Sequence, residues 1–165
     1  MNFQSLNKLF LDRAEENSNK PFLWAKINKG WKSLTWKETS EKVKEFSSGL
    51  KAHGIKPGDR VVIVSENRPE WIVADLAITM IGGITVPAYT TNTEDDHHYI
   101  LEHSGAKAVI TSNNILANRL ALATTRIKEC KLLITIDNYN GFEPEGLNII
   151  SYNAVSYTHL RAHET

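Results

Sequence analysis

The sequence predicts an α/β protein in which alternating βαβ units form a mostly parallel, doubly wound sheet. Three observations support this class. Short β-branched runs alternate along the chain with amphipathic segments of helical period. The run "VVIV" at residues 61–64 is apolar at every position, as is typical of a parallel strand that is covered on both faces. Capping and turn residues separate these segments where a helix or strand must end.

The amino-terminal third predicts two helices that flank a hairpin. Residues 5–16 place apolar side chains at helical spacing, and "PFLWAKI" and "WKSLTW" flank the turn signal "NKG". Thr35 and Glu38 match a capping box for the next helix, which Gly54 is expected to end.

The rest of the chain predicts the sheet and its covering helices. Strands are expected at "VVIV", "ITVPAY", "AKAVIT" and "KLLITID", with a helix over "NILANRLALATTRI" before the last of them. Pro69 suits the first turn of a helix, Thr93 and Asp96 open another, and Gly105 closes it. One shared core is expected to contain the following inward-facing residues: Val61, Ile63, Ile72, Leu76, Val86, Val109 and Ile134.

The composition is that of a soluble globular protein. Hydrophobic residues make up 41% and charged residues 23%, and the 19 basic residues equal the 19 acidic ones, so the overall basic excess of a nucleic-acid binder is absent. The single cysteine, Cys130, cannot build an internal disulfide framework, and the amino terminus lacks the apolar core of a signal peptide. We therefore expect a cytoplasmic protein without a transmembrane segment, for which peripheral membrane contact stays open.

No nucleotide-binding or metal-binding motif is found in the sequence. Neither GxGxxG nor GxxxxGK[ST] occurs, and Gly82 and Gly83 are interpreted as a helix end followed by a tight turn. His97, His98 and His103 offer no pair at i, i+4 and are expected mostly on the solvated rim of their helix. A metal site is therefore not expected.

The remaining candidates also favour structural interpretations. Cys130 has no histidine partner in a local motif and is interpreted as a small buried apolar residue. The four tryptophans at positions 24, 31, 36 and 71 are expected to pack, because no basic stripe that would favour base stacking is recognised beside them. The residues alone assign no catalytic, cofactor-binding or metal-binding position.

Four segments, in order, resemble the amino-terminal part of the adenylate-forming superfamily, and specifically long-chain fatty-acid CoA ligases. They are "LTWKE", "GIKPGDRVVIVSENRPEW", "ADLAITMIGGITVPAYTT" and "YILEHSGAKAVIT", and the resemblance covers roughly residues 3–150. The versions "SENRPEW" and "VPAYTT" are more similar to acyl-CoA ligases than to the adenylation domains of peptide synthetases.

The resemblance implies a two-step ligase reaction for the complete enzyme. A carboxylate attacks the α-phosphate of ATP with Mg²⁺ to give an acyl-adenylate, and the thiol of coenzyme A then displaces AMP. Fatty acid, ATP and coenzyme A are the implied partners. The Ser/Thr/Gly-rich phosphate loop ending in Pro-Lys-Gly, which the family uses to neutralise the phosphates, does not occur here. We therefore expect this chain to bind none of these cofactors well and to be inactive alone.

The final stretch, "VSYTHLRAHET", is interpreted differently from the rest. It lacks an apolar period, and its reverse translation resembles the adapter of a transposase-based sequencing library. We therefore expect residues 1–154 to be a truncated part of an AMP-binding domain. Residues 155–165 are expected to be a non-native tail that packs on nothing.

Three alternatives remain at this stage. The chain could be a short non-catalytic α/β module that binds an acyl chain or a partner subunit. The complete enzyme could instead be a ligase for aromatic acids, or one that loads acyl carrier protein. The missing glycine fingerprint disfavours a dehydrogenase of the Rossmann type.

Overall fold

A parallel sheet of five strands forms the centre of the protein, whose computed structural model describes residues 5–161 and the side chains up to residue 156. The helices are α1 (Leu6–Glu16), α2 (Trp36–Ala52), α3 (Pro69–Met80), α4 (Glu94–Ser104), α5 (Asn114–Thr124) and α6 (Tyr152–Arg161). The strands are β1 (Pro21–Ile27), β2 (Gly30–Thr35), β3 (Arg60–Val64), β4 (Ile84–Pro87), β5 (Ala108–Thr111), β6 (Leu132–Thr135) and β7 (Asn148–Ser151). Across residues 5–161, none of the helices combines the length and the apolar character needed to span a bilayer.

The strand order in the sheet is β4-β3-β5-β6-β7, and every neighbouring pair is parallel. In β3, Val62 pairs with Val86 of β4 on one side and with Val109 of β5 on the other. β1 and β2 form a separate antiparallel hairpin. The predicted doubly wound, mostly parallel sheet is therefore confirmed.

Two hydrophobic layers cover the sheet, one on each face. Alternate strand residues such as Val61 and Ile63 pack with α2, α3 and α6, whereas Val62 and Val64 pack with α4 and α5. This division follows from the two-residue period of a strand, which sends successive side chains to opposite faces. The prediction of one shared core is therefore wrong in part. Val61, Ile63, Ile72, Leu76 and Ile134 lie in the first layer, and Val86 and Val109 lie in the second.

The helix ends follow the local signals in the sequence. Thr35 and Glu38 form the expected capping box, in which the Glu38 amide donates to Thr35 Oγ1 over 3.1 Å. Thr93 and Asp96 form a second box at the start of α4, and Gly105 ends that helix in the left-handed conformation with a φ of 62°. These side chains satisfy amides and carbonyls that a helix leaves unpaired at its termini.

The carboxyl-terminal part of the chain contains two elements that the sequence analysis did not predict. β7 extends the sheet by pairing Ile149 with Leu133 of β6, and α6 follows it directly. The expectation that residues 155–165 pack on nothing is wrong for Val155, which is fully buried in the layer formed by α2 and α3. The side chains of Tyr157 and Leu160 lie outside the described part. The adapter origin of this stretch stays a prediction.

Close contact between α2 and α6 depends on a glycine. A Cβ atom at Gly49 would collide with the backbone carbonyl of Val155. The aromatic rings of Phe46 and Tyr152 stack in the same interface, with their centroids 4.2 Å apart. Absence of a side chain at position 49 therefore lets the two helices approach until Val155 is buried.

His97 is buried, which corrects the expectation of a solvated position. Its side chain is 1% exposed, and neither ring nitrogen has a hydrogen-bond partner among the described residues. Leu101, one helical turn later, is also fully buried, whereas Tyr99 is 63% exposed. The buried face of α4 therefore includes positions 97 and 101. Residues four positions apart lie on the same face of a helix.

We expect Gly49→Ala to lower the melting temperature. Alanine favours a helix over glycine by about 1 kcal/mol, but overpacking a closely packed interface costs roughly 1–3 kcal/mol. Thermal unfolding followed by circular dichroism measures the net effect. Ser48→Ala, at the neighbouring position of α2, gains helix propensity without meeting Val155 and should melt close to the unaltered chain. An unchanged or higher melting temperature for Gly49→Ala would contradict the packing of α6 on α2.

We expect the buried His97 to weaken the fold in mild acid. Burial lowers the pKa of His97 below its ordinary value of 6.5, and the positive charge of Arg119 adds to this effect. The unfolded chain then binds the proton more readily than the folded one, so stability is fully present above about pH 6.5 and is lost as the pH falls through the lowered pKa.

The test of this expectation compares urea unfolding midpoints at neutral and mildly acidic pH for the unaltered chain and His97→Leu. The leucine variant should lose less stability on acidification. His103→Gln is the matched control, because it removes an exposed histidine from the same helix. Equal acid sensitivity of His97→Leu and the unaltered chain would rule out this role for His97.

Candidate functional site

Polar residues gather at the carboxyl ends of the central strands. The chain leaves β3 for β4 on one side and later returns to β5 on the other side, which creates a topological switch point between β3 and β5. In open α/β sheets, ligands bind in the crevice outside this point. Ser65 and Glu66 follow β3 there, and Ser112 and Asn113 follow β5.

Asn113 connects the two loops across the switch point. Its Nδ2 atom donates to Glu66 Oε1 over 3.0 Å, and its Oδ1 atom accepts from the Leu116 amide over 3.0 Å as the cap of α5. The pKa of Glu66 is lowered, first by a hydrogen bond with Ser112. The Glu66 carboxylate therefore already forms hydrogen bonds with the neutral side chains of Asn113 and Ser112.

Arg68 links the end of β3 to the end of β6. Its Nε atom donates to Glu70 Oε2 over 2.9 Å, and its Nη1 atom donates to Asp137 Oδ1 over 3.1 Å. Burial acts to lower the pKa of Arg68, but the hydrogen bonds and charges of the two carboxylates outweigh it and raise that pKa. The guanidinium thus bridges two loops and has its charge matched by protein groups.

A small cavity lies beside this bridge. It has a volume of about 160 Å³ and is lined by Lys42, Arg68, Glu70 and Tyr152, among others. The Tyr152 hydroxyl is buried and has no hydrogen-bond partner among the described residues, and burial raises its pKa. Pockets for organic ligands are usually about 300–1,000 Å³, so this cavity by itself is too small for a nucleotide.

The strand-end residues do not fit ATP with Mg²⁺. Phosphoryl and adenylyl transfer require cations that can face the phosphates, but Arg68 already bonds two carboxylates. No group of three or more histidine, cysteine or acidic side chains that could hold a metal ion occurs in the described part of the chain. The Arg68 bridge and the contact between Asn113 and Glu66 therefore position loops.

The structural interpretations of the glycines and Cys130 are confirmed. Gly82 has a φ of 79°, and a Cβ at Gly83 would lie 2.9 Å from the Ile78 side chain, so both serve the turn after α3. Cys130 is 2% exposed, and burial raises the pKa of its thiol to about 12. A thiol of this kind stays protonated and is a poor nucleophile.

The three histidines do not converge on a common point. His97 is buried and unpartnered, His98 Nδ1 lies 3.1 Å from the Ala123 carbonyl oxygen, and the exposed His103 stacks against Tyr99. The described residues therefore contain no histidine metal site.

The tryptophans divide into two pairs. Trp36 stacks on Phe22 at a centroid distance of 3.7 Å, and Trp71 packs partly buried against the core, as predicted. Trp24 and Trp31 are instead 55% and 67% exposed on the hairpin. The packing interpretation is wrong for this second pair.

The polar residues at the strand ends were not predicted from the sequence, although a signal for them was present. "SEN" follows the buried run "VVIV", and "SNN" follows "AVIT". In a parallel sheet, residues that directly follow buried strands meet at one edge. Asp137, in the loop after β6, belongs to the same set.

Comparison with known proteins identifies the family. Residues 10–155 match the model of the AMP-binding enzymes. The long-chain-fatty-acid–CoA ligase FadD15 of Mycobacterium tuberculosis is 33% identical over 91 residues, which are 55% of this chain and 15% of that protein. Long chain acyl-CoA synthetase 1 of Arabidopsis thaliana is 26% identical over 161 residues, or 96% of this chain and 23% of that protein. The chain thus spans less than a quarter of these two relatives.

Solved structures agree with this assignment. A benzoate CoA ligase from Burkholderia xenovorans superimposes with a TM-score of 0.73 at 26% identity, over 93% of this chain and 28% of that one. The anthranilate CoA ligase AuaEII superimposes with a TM-score of 0.79 at 19% identity, over 96% of this chain and 29% of that one, which is a likeness of fold. Together with the family match over most of its length, these findings establish that the chain belongs to the AMP-binding enzyme family.

Proposed function

We propose that this chain is the amino-terminal part of a fatty-acid CoA ligase, which activates a carboxylic acid with ATP and transfers the acyl group to coenzyme A. The observation that carries the proposal is the family match over residues 10–155, combined with a 33% identical relative named as a long-chain-fatty-acid ligase. The segments "SENRPEW" and "VPAYTT" agree with this, because they resemble acyl-CoA ligases.

An aromatic acid is the second candidate substrate. It is favoured by the likeness to the benzoate CoA ligase, whose 26% identity equals that of the Arabidopsis thaliana synthetase. The residues that line an acyl pocket in the complete enzyme decide between these substrates. Transfer to acyl carrier protein, rather than to coenzyme A, is a third possibility for the second step.

Within this enzyme, we assign residues 1–154 the role of a scaffold. The Arg68 bridge and the contact between Glu66 and Asn113 hold loops at the carboxyl ends of β3, β5 and β6. No Ser/Thr/Gly-rich loop ending in Pro-Lys-Gly occurs in the 165 residues. Catalysis then needs chain outside this sequence, and a cytoplasmic location is part of the proposal.

We expect the purified 165-residue chain to form no acyl-adenylate. The reason is electrostatic, since adenylyl transfer requires fixed donors and cations around the phosphates, and the Ser/Thr/Gly-rich loop ending in Pro-Lys-Gly does not occur in this sequence. Pyrophosphate release is measured with ATP, Mg²⁺ and a long-chain fatty acid. The sample must be monodisperse and show a cooperative unfolding transition, so that inactivity cannot come from misfolding.

The control is the complete enzyme, obtained by resequencing the genomic locus beyond codon 154 and expressing the continued reading frame. It should release pyrophosphate with a fatty acid, and benzoate in parallel reactions tests the aromatic alternative. Coenzyme A and acyl carrier protein are compared as acceptors. Fatty-acid-dependent release from the 165-residue chain alone would contradict the scaffold role. A genuine stop codon near position 154 would favour the non-catalytic module instead.

A further inference from the structure

The β1–β2 hairpin exposes an apolar surface that the ligase proposal does not use. Trp24 and Trp31 are 55% and 67% exposed, and Ile27, at the end of β1, is 45% exposed. Indole rings carry a large apolar area and are normally covered when they serve a core. Exposed apolar side chains this dense on one short hairpin indicate a region that the remainder of the enzyme, another phase or another molecule covers.

The strand register brings the indoles together with a lysine. Lys26 of β1 pairs directly with Trp31 of β2, and Trp24 lies two positions before Lys26 on the same strand. Directly paired residues share a face, as do residues two positions apart. One face of the hairpin therefore carries two indoles and an ammonium group, which we call the Trp-Lys face (Trp24, Lys26 and Trp31).

The hairpin is also the site of a local positive charge. Residues 20–37 contain five lysines and no acidic residue, although the whole chain has 19 basic and 19 acidic residues. Lys26, Lys29 and Lys32 are exposed and form no ion pair with any described residue. This cluster corrects the expectation that no basic stripe accompanies the tryptophans.

Nearby carboxylates do not pair with these lysines. A groove between the hairpin and the start of α3 includes Glu66 and Glu70 in its lining. Glu70 accepts from Arg68 over 2.9 Å, and Glu66 accepts from Asn113 over 3.0 Å. The hairpin lysines therefore remain available to an external anion.

From this geometry we infer that the hairpin docks on the surface of an anionic lipid bilayer. Indoles prefer the boundary between the headgroups and the acyl chains, and lysines are attracted to anionic headgroups. The two-residue turn at positions 28–29 places Ile27 and Lys29 at the tip, so an aliphatic group and a cation reach the surface together. A nucleic acid would use the indoles for stacking but would leave Ile27 without a role.

The inference that the hairpin docks on a bilayer does not depend on which acid the ligase activates.

Co-sedimentation with vesicles tests the inference directly. Phosphatidylcholine vesicles with and without a quarter of phosphatidylglycerol are compared at low and high ionic strength. The unaltered chain should bind the anionic vesicles more tightly and lose binding as salt rises. Trp24→Ala combined with Trp31→Ala should weaken binding about tenfold or more, since both interfacial anchors are removed.

Matched variants distinguish binding through the hairpin from binding through any exposed lysine or any exposed aromatic ring. Lys26→Gln, Lys29→Gln and Lys32→Gln together should reduce binding to anionic vesicles by about tenfold or more. Lys44→Gln, Lys51→Gln and Lys56→Gln remove the same charge from exposed positions elsewhere and should bind like the unaltered chain. Tyr89→Ala removes a 79% exposed ring outside the hairpin and should also leave binding unchanged.

A measurement on the unaltered chain tests the inference even if the variants fail to fold. Tryptophan emission should shift to shorter wavelength on anionic vesicles, and lipids brominated along the acyl chain should quench it. Absence of binding and quenching, in the 165-residue chain or in the complete enzyme, would overturn the inference, and so would equal loss in the two lysine triples. Hairpin-dependent binding of a single-stranded oligonucleotide without vesicle binding would overturn it as well. So would a dimer in lipid-free solution that the tryptophan variant dissociates.

Discussion

Burial of residues 61–64 of β3 is the constraint on which the rest of the structure depends. Residues 61–64 have no exposed surface, and β3 is paired on both edges, with β4 and with β5. Burying one valine or isoleucine side chain stabilises a fold by about 1.5–3 kcal/mol. The strand can realise this gain only if helices cover both faces, which α2 and α3 do on one side and α4 and α5 on the other.

The same constraint explains where the polar residues lie. A strand buried on all sides leaves its polar neighbours in the loops at its ends, and parallel pairing collects these loops at one edge. There Asn113 joins Glu66 and Arg68 joins Asp137, so the loops after β3, β5 and β6 are connected by side chains. The one cation of this group, Arg68, is held by the carboxylates of Glu70 and Asp137, which is typical of a scaffold and unlike a phosphate-binding site.

Local signals made much of the fold predictable. The capping boxes at Thr35 and Thr93 and the left-handed Gly105 act within a few residues, so the sequence contains all that they need. Long-range packing was harder to infer. β7 is four residues long and pairs only at the edge of the sheet, and α6 is placed by its contact with Gly49. Neither interaction leaves a periodic pattern that is visible along the chain.

Whether a particular side chain is buried or exposed was also hard to infer from the sequence. His97 lies on the buried stripe of α4 through its spacing to Leu101, but its polar ring suggested solvent. Trp24 and Trp31 were assigned to packing because no basic stripe was recognised beside them, whereas the hairpin leaves them exposed. The polar pairs at the strand ends join residues up to 69 positions apart, as in the bond between Arg68 and Asp137. Only the folded topology brings such residues together.

The central claim is that this chain forms an α/β scaffold organised around β3. Native-state hydrogen exchange of the 165-residue chain, resolved by residue, tests it most directly. Amides of residues 61–64 in β3 and of β5 should exchange slowest, at rates limited by global unfolding, while those of the edge strands β4 and β7 should exchange faster through local opening. Rapid exchange throughout β3, or stronger protection in β7 than in β3, would contradict the claim.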